Sequence, residues 1–454
     1  MNFKEIAKRA ETGPLMEGND FLLKRVSANV LKLEKELEIR WDGKTLLNLD
    51  DGLADRCWQA GKRLLLACGL FSMNSGRVIE FSSEELEEAL RFAPAELTMG
   101  QGKDSVTVHH RGVEDPRLPF VFSGPFNADV SEEMFVRLNE AFAQERIIDA
   151  LFFPGYLKKL DGLVFRPTSG MSSRAAVLYG EWSREAVRRA GRPGMPIVGH
   201  AVMALNEIAC TNEAWGLRAS DPRAMVLISE LQVDDVSLTR LAYYQAYGCP
   251  IYIAFTPLIG GYGGGPAGTA IVAAASFMAA VLLGGEIVHL GPQHLKYRQQ
   301  TNLHSLFLAS LANQAVARGS RIIATTSHTT SGRPGSAQYA HEFTALALTA
   351  VTGGSNVSGP RPADPLGFNN VSPLMGRLFA EVAHAAAGLG RGRAAEIVGR
   401  LYAKYKDNIE LDKAPKGAAF EQLYDLATLR PTAEHRKLYD ELKEELAGLG
   451  LPLA

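Results

Sequence analysis

Cysteine is scarce. The 454-residue chain has four, Cys57, Cys68, Cys210 and Cys249, and none stands in a CxxC pair. That scatter argues against a zinc site or a disulfide framework and fits a reduced compartment. An excess of charge of either sign is missing as well. With 48 Lys and Arg against 50 Asp and Glu the formal net charge is −2, so there is no broad electrostatic footprint for nucleic acid. The opening MNFKEIAKRAETG lacks an apolar signal core, which reads as cytoplasmic. Long apolar runs are absent too. Residues 267–285 carry no charge, but their strongly apolar part is only 270–283, short of the ~20 residues of a membrane span. A helix buried between a sheet and a neighbour suits this Ala- and Gly-rich stretch better. No zinc signature, nucleophile elbow or Walker loop occurs, and no metal-ligating set emerges.

What remains is an ordinary globular composition, 46% apolar and 22% charged, in a chain long enough for a large core. Residues 1–118 read as a helical extension. Apolar positions recur at helical spacing over 21–37 and 53–70, and Ser82-Ser-Glu-Glu85 opens a further helix as N-cap and acidic first turn. Residues 104–113 alternate well enough for a short strand or hairpin arm. From 119 to 370 short apolar runs alternate with helical stretches: 119–125, 148–155, 195–202, 225–231, 250–257, 286–292, 321–327 and, least clearly, 347–354. Eight such units in this length predict a closed (β/α)8 TIM barrel. An open doubly wound sheet would need a nucleotide-binding turn after an early strand, and none is present. Residues 371–454 return to amphipathic helices, expected to pack on the barrel or join subunits.

Active sites of such barrels lie at the C-terminal strand ends, which shortens the search. His200 closes the third run. Glu230 sits in the otherwise apolar MVLISEL, where a carboxylate is costly unless paired or functional; it is the leading acid–base candidate. Gly260-Gly-Tyr-Gly-Gly-Gly265 follows the fifth run, and its glycines expose backbone N–H groups to an anion or a flat ligand, with Tyr262 projecting. After the sixth run, His294, Lys296 and Arg298 could hold an anion or dock a partner. The hydroxyl-rich loop 325–336 after the seventh carries His328, a second acid–base candidate.

Several motifs resemble one family. Ala190-Gly-Arg-Pro-Gly-Met195 with Gly199, Pro257-Leu-Ile-Gly-Gly-Tyr262 with Gly263, His289-Leu-Gly-Pro292 with His294, Gly76-Arg-Val-Ile79 and the closing stretch 421–451 are similar to the corrinoid-dependent monomethylamine methyltransferases of methanogens, over nearly the whole chain. The resemblance implies a homo-oligomeric barrel with the methyl donor deep inside. It also implies a small corrinoid (cobalamin-type) protein over the mouth, whose Co(I) accepts the methyl group; on that view Gly261, Gly263, His294 and Arg298 face the partner. No cofactor is expected to bind the chain directly. The family's signature residue, pyrrolysine, captures the amine through its imine. At its position stands Val198, at the neighbouring glutamate Ala254, and at the glutamine and tyrosine of the seventh strand Arg321 and Ile323.

With that whole set replaced, covalent capture is excluded and the chain reads as a pyrrolysine-independent relative. The expected substrate is a small methylated amine, quaternary or betaine-type, whose nitrogen leaves without prior capture. Val198, His200, Ala254, Tyr262, Arg321 and Ile323 would line its site, with Arg321 holding a donor carboxylate. Two other readings compete: a non-catalytic small-molecule-binding barrel, and a corrinoid-independent barrel enzyme working through Glu230 and His328.

Overall fold

A computed structural model describes residues 3–126, 128–167, 169–200, 213–364 and 366–453. Eight parallel strands close into a barrel in chain order: β1 (Val121–Ser123), β2 (Ala150–Phe152), β3 (Ile197–His200), β4 (Arg223–Leu227), β5 (Ile251–Phe255), β6 (Ile287–Leu290), β7 (Ile323–Thr330) and β8 (Asn356–Pro362). Each pairs with its chain neighbour, and Val357 of β8 faces Val121 of β1 to complete the circle. Ile, Val and aromatic residues dominate β5 and β6 because helices cover the outer face and side chains fill the inner one.

The amino-terminal extension supplies α1 (Asp51–Cys68), shorter helices before it and two β-hairpins. Ser82 and Glu85 form the capping box expected of Ser83–Phe92, each accepting the other's backbone N–H. The hairpin Glu96–Met99 with Val106–His109 closes the N-terminal end of the barrel: its Met99 and Val108 are fully buried in one cluster with the inward side chains of the strands. Around the barrel lie α2 (Phe135–Gln144), α3 (Gly170–Arg189), α4 (Asp235–Tyr247), α5 (Pro266–Leu282), α6 (Leu303–Gly319) and α7 (Ala337–Thr352), followed by α8 (Pro373–Ala385), α9 (Arg391–Tyr405) and α10 (Ala433–Gly448). Every residue of α5 is buried, which accounts for an apolar helix without a polar face. Among the described residues no helix is long and apolar enough to cross a membrane.

Two strand boundaries differ from expectation. Residues 347–352 are the last turns of α7, not the eighth strand. A short apolar run has the same composition in a buried helix as in a buried strand. The real β8, Asn-Val-Ser-Gly-Pro-Arg-Pro, is disguised by Gly359 and two prolines, residues that normally interrupt strands. The fourth strand ends at Leu227, which leaves Glu230 in the turn beyond it.

α1 packs closely on α5, with Gly61 as the point of approach. A Cβ there would stand 2.5 Å from the Ala274 Cβ and 2.9 Å from the Ala275 amide nitrogen. Gly61→Val is therefore expected to lower the thermal unfolding midpoint, since overpacking costs about 1–3 kcal/mol. Gly399→Ala, in α9 with nothing within 4 Å of the added methyl, is expected to hold or raise it, because Ala is favoured over Gly in helices by ~1 kcal/mol. Calorimetry of the two variants beside the parent checks both signs.

Candidate active site in the barrel lumen

Alternation along each strand turns every second side chain into the barrel. Phe122, Ala150, Phe152, Val198, Ala224, Tyr252, Ile287 and Ile323 form one buried cluster there, with Ala254 packed against it. The C-terminal half of the lumen is open: Val226 and Ile228 on the β4 side, and Ala254 and Thr256 on the β5 side, are partly exposed while Leu227, Ile253 and Phe255 are buried.

Aromatic rings make most of the wall. Phe152 lies 5.7 Å from Tyr252 and 4.8 Å from Phe126, and stacks on Phe153 at 4.0 Å. Phe126 meets the His289 ring edge-on at 6.2 Å. Phe126 and Phe153, just past β1 and β2, have φ of 40° and 43°. Bulky residues rarely adopt that left-handed region, and such strain persists only where surrounding structure imposes it; here it sets two rings over the lumen. His289 is fixed through Nδ1, which lies 2.6 Å from the Tyr252 hydroxyl and 3.1 Å from Ser358 Oγ. Burial holds the Tyr252 hydroxyl well above its usual pKa, so it stays protonated.

One cation borders this wall. The Arg361 guanidinium lies over the Phe126 ring at 5.1 Å, with Nε 3.4 Å from Thr329 Oγ1. It pairs with no carboxylate among the described residues. Burial lowers its pKa, partly offset by the nearby hydroxyls of Tyr156 and Tyr339.

The anticipated residues separate into groups. Val198 and Ile323 are buried in the lumen wall and Ala254 borders its open part. His200 ends β3; its side chain lies outside the described residues, as do residues 201–212. Tyr262, Gly261 and Gly263 lie on the loop after β5, and His294 and Arg298 on the loop after β6. Parallel pairing of Leu258–Ile259 with Gln293–His294 joins the two loops at the C-terminal mouth. Burial, with His304 and Lys296 nearby, lowers the His294 pKa to about 4, so the ring is neutral at pH 7.

Arg321 is not in the lumen. It precedes β7 at the N-terminal end and is exposed, because the site lies at the opposite end of the strand. His328 is misplaced as well: it points out of the barrel, where its ring packs on Phe379 of α8 at 4.7 Å and burial lowers its pKa to about 4. The loop after β7 is occupied by structural bonds. The buried Glu342 carboxylate accepts from the Ser331 and Gly332 amides, the Ser331 and Thr301 hydroxyls and the Gln338 amide. Arg333 donates to the carbonyls of Asp364 and Pro415.

Sequence reasoning missed Tyr252, Phe126, Phe152, Phe153 and Arg361. The phase of alternation held a signal for Tyr252, which stands two residues before Ala254 on the same inward face. The Phe-Phe pair closing β2 carried another.

Glu230 is 3% exposed beneath the glycine loop, and its Oε1 would stand 3.3 Å from a Cβ on Gly261. Neither carboxylate oxygen has a hydrogen-bond partner of regular geometry. Burial raises its pKa from 4.5 to about 7, although the backbone amides of Leu258 and Gly263 favour the charged form. In this window the folded chain holds a proton that the unfolded chain has lost, so the group's contribution to stability falls as pH rises. Glu230→Gln should match the parent below pH 4.5 and gain on it up to about pH 7, reaching a difference of roughly 3 kcal/mol. Denaturant unfolding at pH 5 and pH 8 measures this; equal differences at both would show that Glu230 is not a raised acid.

A family model described as monomethylamine methyltransferase MtmB matches residues 1–451. Monomethylamine methyltransferase MtmB2 of Methanosarcina acetivorans is 27% identical over 447 residues, covering 98% of this chain and 96% of the relative. MtmB of Methanosarcina mazei is 26% identical over 446 residues, with the same coverage. The crystal structure of Methanosarcina barkeri MtmB matches with a TM-score of 0.94 at 25% identity, covering 99% of this chain and 98% of the other. Whole-length sequence and fold agreement together establish that the chain belongs to the monomethylamine methyltransferase (MtmB) family of methyltransferases.

Proposed function

We propose that this protein transfers a methyl group from a small methylated onium compound, held in the lumen, to the reduced corrinoid of a separate partner protein. The observation that carries this reading is the aromatic wall of Phe126, Phe152, Phe153 and Tyr252, beside Val198, Ala254 and Ile323 at the positions where the family resemblance puts its capture machinery. None of these three side chains offers an electrophile or a charge. Ring faces attract an ammonium or sulfonium by about 0.5–2 kcal/mol each, more as water is excluded, so they can position a cation without a covalent bond.

Leaving-group chemistry points the same way. When the methyl–nitrogen bond of a quaternary ammonium breaks, the electron pair stays on nitrogen and a neutral tertiary amine departs. No proton is needed, which suits a lumen where Tyr252 stays protonated and His328 faces away. Free monomethylamine has no comparable leaving group without activation. The corrinoid supplies the nucleophile when the partner is bound; the chain's part is to hold the methyl carbon facing the open end of the barrel and to keep water from it.

The mouth suits a docked protein. Leu163, Val164, Tyr262, Leu295, Leu366 and Phe368 are exposed on the loops after β2, β5, β6 and β8, the kind of apolar rim that marks an interaction site. Gly261, Gly263, His294 and Arg298 stand on two of those loops. Exposed Leu15, Leu23, Leu31 and Phe92 of the amino-terminal extension would serve contacts within a homo-oligomer, which we place in the cytoplasm.

Mixing the protein with a reduced corrinoid protein and a panel of donors, and following cobalt absorption, tests this. Methyl transfer is expected from a quaternary ammonium or sulfonium and not from monomethylamine. Phe153→Leu, at a ring that keeps some exposed surface, should raise KM for the onium about 2- to 30-fold. Transfer from monomethylamine alone would contradict the reading.

A further inference from the structure

We infer that Arg361 is a carboxylate subsite of the lumen, so that the onium donor carries a carboxylate a short linker away from its methylated centre; this rests on the onium reading above. A guanidinium at the edge of a cavity normally has a carboxylate beside it, because removing its charge from water is costly unless compensated. Arg361 lacks one among the described residues. Its nearest ionisable neighbours are the phenols of Tyr156 and Tyr339, which burial keeps protonated. Among the described residues only Nε has an acceptor, Thr329 Oγ1 at 3.4 Å, and neither Nη atom makes a hydrogen bond with them. Among the described residues nothing occupies the terminal fork, which has the planar geometry in which arginine binds carboxylate through two parallel bonds.

Position supplies the second argument. Arg361 covers one side of the ring stack at 5.1 Å from Phe126, and Phe152 and His289 flank Phe126 at 4.8 and 6.2 Å. Phe152 and Tyr252 are fully covered, whereas Phe126 and Phe153 keep 4% and 3% of their surface exposed, so an onium centre would meet the stack at Phe126 and Phe153, on the ring that Arg361 borders. Glu230 lies beneath the loop after β5, and β5 is three strands from β8 around the barrel. The carboxylate end of the donor would accordingly meet the cation and avoid the acid.

Calorimetry with three probes separates this inference from the reading it rests on. Trimethylglycine carries both groups, tetramethylammonium only the onium, and 3,3-dimethylbutyrate only the carboxylate on the same shape. Arg361→Gln is expected to weaken trimethylglycine and 3,3-dimethylbutyrate roughly 10- to 100-fold and to leave tetramethylammonium unchanged. Arg361→Lys should restore part of the loss, and unchanged tetramethylammonium binding also reports an intact fold. If Arg361→Gln leaves both carboxylates unaffected, or neither carboxylate binds the parent protein, the subsite is overturned, and tetramethylammonium binding then still supports the onium reading. If instead trimethylglycine binds no better than 3,3-dimethylbutyrate while Arg361→Gln weakens both, the subsite stands and the onium reading falls.

Discussion

Closure of eight parallel strands is the constraint on which the rest depends. Once the circle is complete, every second residue of each strand must share a small interior, and nothing there reaches water except through the C-terminal opening. The chain meets that constraint with rings: Phe122, Phe152 and Tyr252 at the level of the strands, and Phe126 and Phe153 swung over from strained positions just beyond them. The hairpin carrying Met99 and Val108 seals the other end. An interior built this way has few polar atoms to offer, and His289, Tyr252 and Ser358 are engaged with one another. On the proposed reading, such a cavity would hold a cation by its ring faces and an anion only where an arginine reaches its edge.

Glu230, in the turn after β4, and Arg361, on β8, lie on different sides of the barrel and behave oppositely. Glu230 is buried with no cation beside it among the described residues, and its pKa rises until the carboxyl is half neutral at about pH 7. Arg361 cannot lose its charge at any ordinary pH and meets no carboxylate among the described residues. A partly neutral acid on one side and a permanent cation on the other give the lumen a polarity, with the cationic edge on the side of β8 and β1. A donor that is itself zwitterionic would match it end to end.

Much of this architecture was legible from residues alone. Seven of the eight barrel strands lie where the apolar runs stand, since each run is short, rich in branched or aromatic residues and bounded by turn formers. β8 escaped because its residues look like a loop, and the adjacent helix end looks like a strand; only closure against Val121 distinguishes them. That single misassignment hid Arg361 and left Arg321 as the expected partner of a donor carboxylate. The inward positions of Val198, Ala254 and Ile323 were accessible through family resemblance, whereas the aromatic cage was not. Rings brought together from β1, β2 and β5 are far apart in sequence, and the two that swing over the mouth do so from backbone conformations that no composition signals. His328 shows the converse: a histidine in a polar loop resembles a catalytic group until the phase of its strand turns it outward.

A crystal structure of the protein with trimethylglycine tests the central claim most directly. The trimethylammonium head is expected within ~6 Å of the Phe126 and Phe153 ring centroids, its carboxylate on the Nη atoms of Arg361, and one methyl group facing the open mouth between the loops after β5 and β6. A ligand seated outside the lumen, or one with its head group at Glu230 and nothing on Arg361, would contradict it.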